Sequence, residues 1–206
     1  MAQVLKDSVR QSIVDAAIQE MLEVGYEKSS MRNIASNAKM TVGNLYRYFK
    51  NKEEMIKFII YPVMDKIDNK IRLVTNESIS LNEDSLYIED FVYENILVVL
   101  DQIAIDIVEI YNAHPKIMRI IMMESSFNNR LRDWCANLVL KLFKYENNND
   151  INHDIYNVLA HVYASSMFAA MKEALTNDVL SKDETIKIIR IYFRSFLNEL
   201  EVKMEI

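Results

Sequence analysis

Glycine and proline are scarce in this chain, with only two of each among its 206 residues. Strands and tight turns normally use both residues, so their scarcity argues against a fold rich in strands. The abundant residues include Leu, Ile, Met, Glu, Lys and Ala, which favour helices. A chain of this length buries about 70% of its unfolded surface, which is enough for a core without disulfides. The sequence therefore predicts a nearly all-helical globular protein.

Cysteine is almost absent as well, since Cys135 is the only one. A single cysteine excludes an intrachain disulfide and a cysteine-based metal site. The three histidines, His114, His153 and His161, are far apart in the sequence. There is no glycine-rich phosphate loop, no HExxH and no GxSxG motif. We therefore expect no catalytic residue, no metal site and no cofactor.

Long apolar runs are also missing. The N-terminus, MAQVLKDSVRQSI, lacks the apolar core of a signal peptide. The longest apolar stretch, residues 95–108, is interrupted by Asp101 and Asp106, and a membrane helix needs about 20 apolar residues. We therefore expect a cytoplasmic protein with no membrane partner.

The charge is unevenly distributed along this acidic chain, whose net charge is -6. Residues 1–57 carry nine Lys and Arg against seven Asp and Glu, whereas the remainder carries fifteen against twenty-three. A mildly basic N-terminal segment on an acidic body suggests that this end meets an anion such as nucleic acid. Chance gives differences of this size too, so charge alone does not decide the function.

Helical periodicity and capping residues divide the chain into about nine helices. A first helix at about 7–24 is predicted to end at Gly25, and Ser30 and Thr41 are N-cap residues for two short helices. Asn51 caps a fourth helix, in which Pro62 predicts a break or a kink. Longer helices follow at about 88–112, 115–125, 129–145, 154–176 and 182–203. The shorter helices lie within residues 1–57, and the longer ones make up residues 58–206.

The stretch TVGNLYRYFKNKEEM, residues 41–55, has the layout of a helix-turn-helix when it is read with the short helix before it. In that motif the second helix enters the DNA major groove. Gly43 lies in its first turn, where no side chain would hold the backbone away from DNA, while Leu45 and Phe49 can face the core. The remaining surface candidates for base or phosphate contact are Thr41, Val42, Asn44, Tyr46, Arg47, Tyr48, Lys50 and Lys52.

At this point the sequence resembles a known family. SMRNIASNAKMTVGNLYRYFKNKEEM, preceded by IVDAAIQEMLEVGYEKSS, is similar to the N-terminal domain of TetR-type transcriptional regulators. The resemblance implies an all-helical homodimer. In it, residues 1–57 form a helix-turn-helix DNA-binding domain, and residues 58–206 form a variable domain for dimerisation and for binding a small effector. It also implies DNA contacts at Ser30, Arg32, Thr41, Asn44, Tyr46, Tyr48 and Lys52.

Three positions depart from the family pattern. Lys39 replaces the usual glycine of the turn, Met40 replaces a usual valine, and Val42 replaces a frequent Lys or Arg. If Lys39 has a positive φ, its backbone is strained by about 1 kcal/mol. Alternatively, Lys39 supplies another phosphate contact. The departures bear on the details of DNA contact more than on the fold.

The C-terminal body is rich in methionine and aromatic residues, which serve either as core or as the lining of an apolar cavity. The candidates for an effector pocket are Met118, Met122, Phe127, Trp134, Tyr163 and Met167. The last two helices carry small residues and a wide apolar stripe, which favour a two-fold dimer interface. The candidates for that interface are Ala160, Ala164, Phe168, Ile189, Phe193 and Phe196.

Together these features predict a homodimeric transcriptional regulator that represses by binding a near-palindromic double-stranded DNA operator. A small lipophilic effector of unknown identity would release it. Two rival hypotheses remain open on the sequence. One is a helical small-molecule carrier or enzyme whose helix-turn-helix is only scaffold. The other is a DNA-binding protein that responds to no effector.

Overall fold

Eight helices account for most of the structure, a computed structural model that describes residues 2–78, 89–124, 129, 132–133, 135–137, 139–140 and 153–203. Their bounds are α1 Ala2–Lys28, α2 Met31–Asn37, α3 Val42–Tyr46, α4 Lys52–Ser78, α5 Glu89–Ala113, α6 Pro115–Met123, α7 His153–Thr176 and α8 Lys182–Lys203. The described residues between 129 and 140 are helical too, and no strand occurs anywhere in the described ranges. The prediction of an all-α fold is confirmed.

The three predicted N-caps start the helices of the N-terminal region. Ser30 Oγ accepts the N–H of Asn33 at 3.1 Å, and Thr41 Oγ1 accepts the N–H of Asn44 at 3.2 Å. Asn51 Oδ1 likewise accepts the N–H of Glu54 at 2.7 Å. Each bond satisfies an N–H that the first turn of a helix leaves without a backbone partner. The bonds fix where α2, α3 and α4 begin.

Gly25 and Pro62 are the two positions at which the sequence predicts that a helix is interrupted. Gly25 has φ +80 and ψ 163 inside α1, so the regular helix ends there and one further turn reaches Lys28. A positive φ is the conformation that glycine adopts without cost. Pro62 lies inside α4, and the helix runs through it without interruption. The predicted end at Gly25 is therefore present. Of the two outcomes predicted at Pro62, a break is absent, and a kink stays a prediction.

The chain divides into two compact units, and the boundary falls within α4. The first unit comprises Met1–Lys66 and His114–Phe127, and the second comprises Ile67–Ala113 and Asn128–Ile206, as far as they are described. These units are defined by packing. The predicted functional division into 1–57 and 58–206 therefore stays a prediction.

In the first unit α1 packs against α2 and α6, and α2 packs against α3. The fully buried side chains of its core include Ile13, Ala17, Met21, Ile34, Leu45, Met118 and Ile121. α1 contributes one face of periodically spaced apolar residues, as predicted. α6 joins this unit although it follows α1 by almost 90 residues in the chain.

In the second unit α8 packs against both α5 and α7. Ion pairs join helices of this unit, among them Arg194 Nη2 to Asp101 Oδ2 at 2.9 Å and Lys70 Nζ to Asp106 Oδ1 at 2.9 Å. The Asp106 carboxylate is almost fully buried, and Gln102 donates a second hydrogen bond to it. The two aspartates that interrupt the apolar stretch of α5 therefore both have partners.

Candidate nucleic-acid interface

The segment α2–turn–α3 is a helix-turn-helix whose second helix is held by a single anchor. Leu45 is the only buried residue of α3, and Phe49, just after it, is buried as well. Both were predicted to face the core. Tyr46 beside them is half exposed, and Asn44 is partly exposed. The outer face of α3 is therefore open to a partner.

The predicted DNA-contact residues all lie on this region, with different exposure. The exposed ones are Arg32, Thr41, Gly43, Tyr46, Arg47 and Lys50, and the partly exposed ones are Ser30, Val42, Asn44, Tyr48 and Lys52. None is fully buried. Contact with DNA itself remains a prediction for every one of them.

Positive charge is concentrated in this region more sharply than the comparison of residues 1–57 with the rest of the chain indicated. Residues 28–52, which we call the basic segment, contain six Lys and Arg and no Asp or Glu, in a chain with a net charge of -6. Averaging over residues 1–57 hid this feature because acidic residues flank the basic segment on both sides. A surface of one sign attracts a polyanion.

Most cations of the basic segment have no partner in the protein. Lys28, Arg32, Lys39, Arg47 and Lys50 are exposed, and within the described part of the chain their charged groups make no hydrogen bond or ion pair. A lysine or arginine that the fold leaves unpaired is free to neutralise a phosphate. The basic segment is thus a candidate surface for nucleic acid.

Lys52 is the exception in the basic segment. Its ammonium donates hydrogen bonds to the carbonyl oxygens of Tyr26 at 2.8 Å, Ser29 at 3.0 Å and Glu27 at 3.2 Å. It also lies over the Tyr26 ring, 4.4 Å from the centroid. These carbonyls end α1, where a helix leaves acceptors unsatisfied. The structure thus gives Lys52 a role in joining α4 to α1, while its phosphate contact stays untested.

A buried carboxylate positions α2 against α1. Glu20 is nearly fully buried, and its two oxygens accept hydrogen bonds from Asn33 at 2.8 Å and Asn37 at 3.3 Å. Asn33 and Asn37 are four residues apart and share one face of α2. This contact was not predicted from the sequence. The feature of the sequence that could have indicated it is an acidic residue, Glu20, on the apolar face of α1 beside Ala17 and Met21.

The end of α6 reaches the same corner of the first unit. Glu124 Oε1 accepts the N–H of Tyr26 at 2.7 Å, directly after the non-helical Gly25. A Cβ on Gly25 would lie 3.2 Å from that oxygen, so the site also restricts what can replace the glycine. Burial, and then the nearby Glu27 carboxylate, raise the pKa of the Tyr26 phenol, which stays neutral.

A family model, described as bacterial regulatory proteins of the tetR family, matches residues 13–58. The matched range runs from the core of α1 through the basic segment into α4. Residues 13–58 therefore belong to the TetR family. The predicted resemblance to TetR-type transcriptional regulators is thus confirmed for this segment.

Curated TetR-type relatives match the same part of the chain. The HTH-type transcriptional regulator PksA of Bacillus subtilis is 35% identical over 63 residues, which are 31% of this chain and 31% of the relative. The fatty acid metabolism regulator protein of Bacillus subtilis is 43% identical over 44 residues, 21% of this chain and 23% of the relative. The chain thus spans less than a third of the length of these relatives.

The fold extends the likeness beyond the N-terminal segment. A TetR-like transcriptional regulator from Rhodococcus sp. RHA1 superposes with a TM-score of 0.56 at 15% identity, over 88% of this chain and 91% of the other. At that identity the likeness concerns the fold alone. It supports a TetR-type helical arrangement for the body as well.

The predicted effector-pocket residues fall in different parts of the structure. Met118 and Met122 are buried on α6 in the first unit, and Met167 is buried on α7 in the second. Tyr163 is partly buried, with its ring edge against Phe196 at 4.7 Å between centroids. Phe127 and Trp134 lie outside the described residues. The pocket stays a prediction.

The six predicted dimer-interface residues lie inside their own subunit. Ala160, Ala164, Phe168, Ile189, Phe193 and Phe196 are all buried in the single chain. Together they form the contact of α7 with α8 and the core around it. The single chain does not test their role in dimerisation. It does show that other residues of the same helices are available to a partner.

Several kinds of chemical site find no support in the described ranges. There, no three His, Cys, Asp or Glu side chains lie close enough together to bind a metal. Burial raises the pKa of the Cys135 thiol to about 12, so it stays protonated and is a poor nucleophile. Of the helices that are described, none is both long enough and apolar enough to span a membrane.

Proposed function

We propose that this TetR-family protein is a homodimeric repressor that acts in the cytoplasm. Each subunit places α3 in the major groove of one half of a near-palindromic operator. A small lipophilic molecule bound in the C-terminal body releases the protein from DNA. The observation that carries the proposal is the match of residues 13–58 to the tetR family, which covers the unpaired cations of the basic segment and the open face of α3.

The side chains on the open face of α3 and directly after this helix suit two kinds of DNA contact. Asn44 is suited to adenine and Arg47 to guanine, because each can pair with its base through two hydrogen bonds. Lys50, Tyr46 and Tyr48 are suited to phosphates, which fix the position of the protein on the duplex but do not read its sequence. Asn44 and Arg47 would therefore recognise the base sequence. Lys50, Tyr46 and Tyr48 would fix the position of the protein on the duplex.

Substituting Asn44 by Ala tests the base-reading role. We expect the affinity for the best operator to fall by about 1–3 kcal/mol for each half-site and the preference at one base pair to relax. The operator is first selected from random-sequence duplexes at fixed salt. Affinities are then measured for every single-base variant of it.

The matched control is Asn69→Ala, an exposed asparagine on α4 in the second unit. It should leave both affinity and base preference unchanged. An equal loss of affinity across every operator variant for Asn44→Ala would contradict the assigned role. Absence of salt-sensitive DNA binding by the unaltered protein would contradict the proposed function as a whole and favour a helix-turn-helix that is only scaffold.

For the homodimer we propose the outer face of the last two helices as the interface. Large apolar side chains are exposed there, namely Ile155, Val158, Leu159 and Val162 on α7 and Ile188 and Ile191 on α8. Exposed apolar patches of this kind mark interaction sites. A pair of helices from each subunit would close a four-helix bundle about a two-fold axis. We call these six residues the outer apolar face.

Substituting Val162 by Glu tests this interface. The dimer dissociation constant should rise by roughly 100-fold or more, because each dimer would bury two uncompensated carboxylates. Sedimentation at several protein concentrations measures it. The control is Val179→Glu, since Val179 is 91% exposed in the turn between α7 and α8. A Val162→Glu protein that remains as dimeric as the control would rule out the outer apolar face.

Effector binding would release DNA by changing the distance between the two recognition helices of the dimer. DNA requires the two recognition helices about 34–36 Å apart, one helical turn, so a shift of a few ångströms weakens binding. A coupling of about 1–3 kcal/mol would change operator affinity roughly 5- to 150-fold. The likeness to the fatty acid metabolism regulator does not identify the ligand, because it covers only 21% of this chain. Operator binding that survives a broad panel of lipophilic ligands would favour a protein without an effector.

A further inference from the structure

Lys39 has a backbone conformation that side chains rarely adopt. Its φ is 55, and in the described part of the chain it is the only residue other than glycine with a positive φ. It lies where α2 ends, and the N–H of Met40 donates to the carbonyl oxygen of Ala35 at 2.9 Å. This bond belongs to a helix-ending motif that normally places glycine at the left-handed position. The conditional expectation of a positive φ at the turn is thus met.

No contact within the described part of the chain explains why this position carries a lysine. The side chain is exposed, and its ammonium has no hydrogen-bond or ion-pair partner among the described residues. Glycine would adopt the same backbone without the steric cost that a Cβ brings to a left-handed conformation. Backbone strain that packing does not require often belongs to a functional site.

The position of Lys39 in the basic segment indicates what that function is. It lies two residues before Thr41, which caps the recognition helix α3. The nearest cations along the chain, Arg32 and Arg47, are exposed and unpaired as well, and the basic segment has no acidic residue to neutralise any of them. A polyanion that lies along α3 would therefore meet a lysine at the turn as part of the same positive surface.

We propose that Lys39 is a DNA-contacting residue of this protein, which neutralises an operator phosphate from the turn of the helix-turn-helix. This inference rests on the proposed function, since it assumes that α3 meets DNA. It combines the two alternatives left open at the turn, since a strained backbone and a phosphate contact are compatible with each other. The strained backbone at Lys39 would lower the stability of the protein, and the charge of its side chain would raise the affinity for DNA.

Replacing Lys39 with Gly separates the two effects, because they have opposite signs. We expect Tm to rise by about 2–4 °C, because the left-handed strain is removed. We expect operator affinity to fall, and the slope of log affinity against log salt to become shallower by about 2 for the dimer, since each lost phosphate contact contributes about 0.9. Thermal unfolding and operator titrations from low to high salt give both quantities.

Two further variants make the experiment specific. Lys39→Arg retains the charge and should retain the salt slope. Lys116→Gln removes one charge from an exposed position on α6 and should leave the slope unchanged. A Lys39→Gly protein with a higher Tm but unaltered affinity and slope would overturn the inference, and so would a Lys116→Gln protein with the same shallower slope. If the unaltered protein shows no salt-sensitive binding, the proposed function fails and not only the role of Lys39.

Discussion

Replacing Lys52 with Ala is expected to lower the free energy of unfolding by about 2–3 kcal/mol. The side chain is partly buried, and its ammonium makes three hydrogen bonds to carbonyl oxygens at the end of α1, from 2.8 to 3.2 Å. A hydrogen bond to a charged group contributes about 1.5–3 kcal/mol. We discount the sum because part of the site is solvated. The loss of Tm in a protein of this size would be roughly 4–12 °C.

Two controls separate the ammonium from the rest of the side chain. Lys52→Met keeps most of the aliphatic length and should be nearly as destabilising as Lys52→Ala. Lys57→Ala removes an exposed lysine whose partner is Glu53, one helical turn before it, and should change Tm little. An unchanged Tm for Lys52→Ala, together with weaker DNA binding, would mean that Lys52 serves phosphate alone.

The local features of the fold could be predicted from the sequence because they depend on short-range interactions. Ser30 and Thr41 each bond to an N–H three residues later, so the signal and its effect lie in the same few letters. The bounds of one long helix follow from the same rules, whereas α1 runs from Ala2 to Lys28 and not from about 7 to 24. α8 runs from Lys182 to Lys203, the range that periodicity predicted.

Contacts between distant segments could not be predicted in this way. Glu124 and Tyr26 are 98 residues apart, and nothing near either residue indicates the other. The ammonium of Lys52 is committed to carbonyl oxygens that precede it by 23 to 26 residues. A lysine in a basic segment gives the same sequence signal whether it meets a phosphate or a helix end. The structure shows the bonds of Lys52 to the helix end, while its phosphate contact stays a prediction.

The outer apolar face shows a different limit of the sequence. α8 is apolar on more than one side, so its pattern indicates burial on two faces but not which face lies inside the subunit. The structure buries Ile189 and Phe193 and exposes Ile188 and Ile191. The predicted width of the apolar stripe therefore indicated correctly that α8 is apolar on more than one face. Which of its residues lie inside the subunit depends on the packing of α8 against α7 and α5.

The two glycines of the chain should respond in opposite ways to substitution by alanine. Gly25 has a positive φ, and an added Cβ would lie 3.2 Å from Glu124, so Gly25→Ala should destabilise the protein. Gly43 has no atom within 4 Å of an added Cβ and lies in α3. Alanine is the better helix former by up to about 1 kcal/mol, so Gly43→Ala should leave the protein as stable or more stable.

The fold therefore does not require glycine at Gly43, and the proposed partner supplies the reason for it. A side chain at this position on the open face of α3 would hold the backbone away from the groove. We expect Gly43→Ala to cost about 1–3 kcal/mol at each half-site, the size of one good base contact. Two half-sites then weaken operator binding roughly 30-fold at least. Equilibrium titration with the selected operator, beside a thermal melt of the same variant, measures both effects. Unchanged affinity would show that this face of α3 does not approach DNA closely, whatever the charge of the basic segment.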